Sequence, residues 1–111
     1  MTDESAERAE LVLTTTREGT AVLIAVVGEL DAYSAPALES LAAELRAGGA
    51  FTFTLDLSQT SFIDSSGLRT LVGLHTELAE LPSGTLVLQA PSDPVTRLLE
   101  ITGLTEHFTV N

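Results

Sequence analysis

The sequence contains no cysteine. Disulfides, thiol redox chemistry and thiolate metal sites are therefore out of reach, which suits a reducing compartment such as the cytosol. Lysine is absent too. The only cations are Arg8, Arg17, Arg46, Arg69 and Arg97, set against 16 acidic residues for a formal net charge of -11. A phosphate backbone or an anionic membrane repels such a chain, so neither nucleic acid nor membrane is an expected partner, whereas a basic protein surface attracts it. Long apolar runs are also missing. The longest, AVLIAVV from Ala21 to Val27, falls far short of the roughly 18 residues that suggest a membrane span. The N-terminus, MTDESAERAE, lacks the basic and apolar regions of a signal peptide, and a cytoplasmic protein is expected.

What is present reads as one folded domain. The chain has 111 residues, of which 44% are hydrophobic and 19% charged, too apolar for a disordered segment. Residues 1–10 read as a flexible acidic tail and residues 11–111 as the domain. A strand is expected near Leu11 to Thr16, then a turn at Glu18-Gly19. Ala21 to Val27 is apolar at nearly every position, the pattern of a strand buried on both faces. Ser34 is placed to cap a helix carrying Leu38, Leu41, Ala42 and Leu45 and stopped by Gly48-Gly49. Phe51 to Leu57 alternates as a strand, a helix follows through Leu81, and Thr85 to Gln89 is the next strand. Asp93-Pro94 then serves as cap and first residue of a helix ending at Gly103, with a short strand over Phe108 to Val110. Repeated strand-then-helix units, after a first pair joined by a tight turn, predict an α/β fold: a mixed, mainly parallel sheet of about four or five strands with packed helices.

One stretch, FIDSSGL from Phe62 to Leu68, asks for more than folding. On a helical wheel Leu68, Leu71, Val72, Leu74, Leu78, Ala79 and Leu81 gather on one side, opposite Arg69, Thr70, Gly73, Thr76, Glu77 and Glu80. Extended backwards, the wheel puts Ser66 in the polar arc and Ser65 at its margin. Asp64 or Ser65 can cap the helix, leaving Ser66 in the first turn, facing solvent, where orphan N–H groups and the helix dipole favour an anion. Taken singly, each residue has an ordinary structural use: aspartate and serine as caps, Gly67 for tight packing. Capping needs only one such side chain, so two serines, a glycine and an exposed arc together call for a further cause.

Other chemistries find less support. The nucleophile elbow G-x-S-x-G is absent, and neither His75, on the apolar arc and read as a partly buried, hydrogen-bonded residue, nor His107, read as a surface residue, is placed to activate Ser66. Two histidines far apart and scattered carboxylates give no metal-ligand spacing. No glycine-rich phosphate loop is present, and no cofactor is implied.

Three segments carry a resemblance: GELDAYSAPAL from Gly28 to Leu38, LDLSQTSFIDSSGL from Leu55 to Leu68, and the later strand and helix. Together, over about residues 11 to 110, they resemble STAS domains, most closely the stand-alone anti-sigma factor antagonists. The resemblance implies that Ser66, the serine before the motif glycine, is phosphorylated by an anti-sigma factor that is also an ATP-dependent serine kinase. It implies that the unphosphorylated antagonist binds this kinase and releases a sigma factor, and that a PP2C-type phosphatase reverses the modification. By the same resemblance Asp31, at the end of GELD, and Asp64 line the partner surface with Ser65, Ser66 and Gly67. For each aspartate a structural and an interaction role stand side by side, and Ser65 can be cap, second acceptor or both. The alternative expectation is an unphosphorylated STAS scaffold or subunit of a lipid-transporting ABC complex; a hydrolase is the remaining rival.

Overall fold

The structure, a computed structural model, is described for residues 11–111, so the expected tail over residues 1–10 lies outside the described residues. In order the elements are β1 (Val12–Glu18), β2 (Ala21–Leu30), α1 (Ala35–Ala47), β3 (Thr52–Asp56), β4 (Thr60–Ile63), α2 (Ser65–Ala79), β5 (Thr85–Gln89), α3 (Asp93–Thr102), a 3-10 turn (Thr105–His107) and β6 (Thr109–Val110). The sheet order is β1-β2-β3-β5-β6, with β4 paired to β2 off this path. Among the described residues only β1 and β2 run antiparallel, joined at Gly19 with φ 63°. The expected mixed, mainly parallel sheet is therefore observed, with a further strand, β4.

The extra strand follows from a bend in β2. Residues Ala21 to Ala25 pair with β3, and Gly28 to Leu30 pair with β4. The ladder shifts register between Gly28 and Glu29, where Gly28 adopts φ 115°, a conformation glycine takes without steric cost. Gly28 N–H donates to Gln59 O at 3.0 Å. One long strand thus serves two partners in succession, and β4 is only 4 residues long, too short for alternation to reveal.

Val22, Ile24 and Val26 of β2 share a core with Phe53, Leu55, Leu86 and Leu88 of the sheet and with Leu38, Leu71, Leu78, Val95 and Leu99 of the helices. The expectation that β2 is buried on both faces is corrected: Leu23, Ala25 and Val27 are only half-buried, because the helix core meets one side of the sheet. At α3 the cap is Ser92 rather than Asp93, so Asp93 and Pro94 occupy the first turn. Gly103 closes that helix in the left-handed region, as expected.

Candidate functional site

Parallel pairing of β2 with β4 matches Leu30 to Ile63, so the segments leaving the two strands emerge side by side. One is Asp31 to Ser34, the other Asp64 to Ser66. Asp64 has extended backbone angles and caps α2: its Oδ1 accepts from Ser66 N–H at 2.9 Å and from Gly67 N–H at 3.1 Å. Two orphan donors of the first turn are thereby satisfied. Asp64 N–H donates to Leu30 O at 3.3 Å, which ties the two segments together.

Gly67 explains how close they come. A Cβ at that position would lie 2.5 Å from Leu30 O and 2.9 Å from Ile63 Cγ1, so only a residue without a side chain lets the first turn of α2 sit on the end of β2. Gly67 is buried, Ser65 is exposed and Ser66 is half-buried. Neither serine hydroxyl is held by a hydrogen bond among the described residues.

Ser66 is thus less open than the helical wheel suggested, and Thr70 shows why. Thr70, placed on the solvent arc by the sequence, is 5% exposed. Its hydroxyl lies 2.8 Å from Glu39 Oε2 on α1 and 3.3 Å from Ser66 O. Further along the same stripe Glu77 pairs with Arg46 of α1 at 3.0 Å. The arc running from Ser66 through Thr70 to Glu77 is a polar seam against α1, and Ser66 stands at its open end.

The Asp31 segment is held by its own hydrogen bonds. Asp31 Oδ1 accepts from Tyr33 N–H and Ser34 N–H, both at 3.0 Å, an arrangement that lets aspartate shape a turn. Ser34 occupies the cap position of α1, but its hydroxyl turns back to Glu29 O at 2.7 Å instead of capping. Two aromatic residues flank the pair of segments, Tyr33 at 76% exposure and Phe62 at 47%. Sequence reasoning passed over both; the available signal was an aromatic in a turn and another on a strand within two residues of a motif aspartate.

The histidines sit elsewhere. His75 lies roughly 13 Å beyond Ser66 along the helix axis, at about 1.5 Å per residue. The two residues read as far apart are in fact neighbours: the His75 ring lies 4.6 Å from that of His107 and 5.5 Å from that of Phe108. Ring packing thus takes the place of the hydrogen bond expected for His75. Among the described residues no group of three histidine, cysteine or acidic side chains converges as a metal site, and no helix is long and apolar enough to cross a membrane.

The STAS domain model matches residues 12–111. An anti-sigma-B factor antagonist from Listeria monocytogenes is 39% identical over 83 residues, covering 75% of this chain and 72% of that protein. A crystal structure of an anti-sigma factor antagonist from Mycobacterium paratuberculosis superposes with a TM-score of 0.74 at 26% identity, covering 91% of this chain and 85% of that one. The Bacillus cell fate determinant SpoIIAA in its phosphorylated form shares the fold with a TM-score of 0.71 at 23% identity, over 92% of this chain and 91% of its own. A β2 strand that pairs first with β3 and then with β4 and so brings two aspartate-led segments together, a glycine-seated helix start and these matches converge: the chain belongs to the STAS domain family, among relatives that are anti-sigma factor antagonists.

Proposed function

We propose that this protein is a cytoplasmic anti-sigma factor antagonist gated by phosphorylation at Ser66. In its unmodified form it binds an anti-sigma factor with serine kinase activity and so frees a sigma factor. The observation that carries the reading is the Ser66 hydroxyl in the first turn of α2, at the open end of the seam, with Asp64 capping that turn and the Asp31 segment beside it. The Listeria relative, named for antagonism of an anti-sigma factor, and SpoIIAA, solved in a phosphorylated form, support it.

In the switch, Ser66 Oγ takes the γ-phosphoryl group of ATP at the kinase, its proton passes to a base of that enzyme, and ADP leaves. A PP2C-type phosphatase returns the hydroxyl and releases inorganic phosphate. The modification adds about -1.5 to -2 charges at neutral pH. Asp64 Oδ1 already holds the Ser66 and Gly67 N–H groups, so the helix dipole is what favours an anion at this end, and the fold persists. Docking does not. A partner surface shaped for a neutral hydroxyl in an acidic surround meets like-charge repulsion and uncompensated desolvation. Asp31, Asp64 and Ser65 contribute to the contacted face, and Gly67 seats the turn that presents it.

Titrating wild type, Ser66→Ala and Ser66→Asp against the host anti-sigma factor tests this. Ser66→Ala binds like wild type, and Ser66→Asp loses about tenfold or more in affinity, as expected for an unpaired charge at an interface. Equal affinity of all three would defeat the switch and leave a constitutive scaffold.

A further inference from the structure

We propose that Tyr33 and Phe62 are the apolar anchors on which the anti-sigma factor docks, so that two aromatic rings carry recognition while the hydroxyl beside them carries the gating. The inference rests on the reading of the Ser66 face as a docking surface. Most of the chain's aromatic residues are used by the fold: Phe53 and Phe108 are buried and Phe51 is half-buried. Tyr33 and Phe62 are the more open rings, at 76% and 47% exposure. Both lie within two residues of an aspartate of the candidate site, Tyr33 after Asp31 and Phe62 before Asp64, and the matched ends of β2 and β4 bring the two stretches together.

The backbone under each ring is fixed. Tyr33 N–H is bound by the Asp31 carboxylate at 3.0 Å, and Phe62 sits in the β4 ladder opposite Glu29, next to buried Ile63, which anchors its strand. An aromatic side chain on a rigid backbone has only two torsions to lose on binding, which makes it an inexpensive source of buried area. The remaining exposed large apolar residues, Val12, Leu81, Ile101 and Val110, belong to other elements, and singly scattered ones are normal on a protein surface.

Charge selects the kind of occupant. Phe62 pairs with Glu29 across the ladder and stands two positions before Asp64, and Tyr33 follows Asp31 by two, on a chain of net charge -11. A nucleic acid or an anionic membrane is repelled, and a second copy brings the same acidic face. A surface with an apolar recess rimmed by arginine or lysine satisfies both features, and the proposed kinase partner is the protein that carries it.

The test uses the full chain and the purified host anti-sigma factor that phosphorylates it. Binding of the unphosphorylated protein is measured by calorimetry for wild type, Tyr33→Ala, Tyr33→Phe, Phe62→Ala, Ile101→Ala and Ser66→Asp, with thermal unfolding of each. Tyr33→Ala and Phe62→Ala each weaken binding by about tenfold or more, as truncated anchors do. Tyr33→Phe and Ile101→Ala stay within about twofold of wild type. In the kinase assay the two alanine variants raise KM and leave kcat unchanged, the mark of lost uniform binding. Should Phe62→Ala lower the unfolding midpoint, the more exposed Tyr33 decides the outcome. Binding of Tyr33→Ala within about twofold of wild type, with Ser66→Asp weakened, overturns the anchors and spares the switch. Weak binding by Tyr33→Ala with full binding by Ser66→Asp upholds the anchors and overturns the gating.

Discussion

Asp64 and Gly67 set where the Ser66 hydroxyl stands, and they do so by different physics. Asp64 satisfies two N–H donors of the first turn, so Asp64→Ala removes a cap and costs about 0.5–2 kcal/mol of stability. Gly67 supplies an absence. A methyl group there meets the Leu30 carbonyl, a backbone atom that cannot rotate away, and Gly67→Ala costs about 1–3 kcal/mol through overpacking. Chemical denaturation measures both. Asp64→Asn, which keeps an acceptor oxygen, recovers most of the loss, whereas no side chain rescues Gly67. The aspartate's role was legible because a carboxylate before a helix is a local signal. Tight packing at Gly67 was legible as well, but not its partner, since Leu30 lies on β2, far from the helix in sequence.

At the scale of elements, α1 and α2 meet through a seam that is part apolar and part polar, and magnitudes decide which part holds them. Leu71 is fully buried in the shared core, so Leu71→Ala costs about 2–5 kcal/mol. The Arg46–Glu77 pair, with side chains 30% and 55% exposed, is screened by water, and Glu77→Ala costs less than about 1 kcal/mol. Glu39→Ala leaves the Thr70 hydroxyl its contact with Ser66 O and costs about 0.5–1.5 kcal/mol. Urea midpoints ranked Leu71→Ala well below both acidic variants are the expected outcome. The wheel gathered the core-facing leucines of α2 but read the whole polar arc as exposed, where Thr70 and Glu77 face α1, and it put Ala79 and Leu81 on the buried side although both are exposed. Thr70 and Glu39 are 31 positions apart, and their contact follows only from how the helices are laid on the sheet.

Across the whole molecule, a net charge of -11 acts in two opposite senses. It opposes the compact state by self-repulsion, and it draws a basic partner. Raising ionic strength screens both, with a Debye length near 10 Å at about 0.1 M. Added salt therefore raises the Tm of the isolated protein while slowing its association with the anti-sigma factor; calorimetric melts and stopped-flow rates over one salt series report the two trends. A single shared direction would show that the acidic surface is not what the partner reads. The sequence by itself determined the α/β class, the helix starts to within a residue, the sheet's mainly parallel sense and the aspartate-serine-glycine cluster, because periodicity, caps and turns are properties of neighbouring residues. Tertiary structure alone decided the bend of β2 at Gly28, the pairing of β4 with its end, the meeting of the Asp31 and Asp64 segments and the contact of His75 with His107. Each of those joins residues whose separation along the chain carries no local signal, and only the packing of a sheet against its helices brings them within reach.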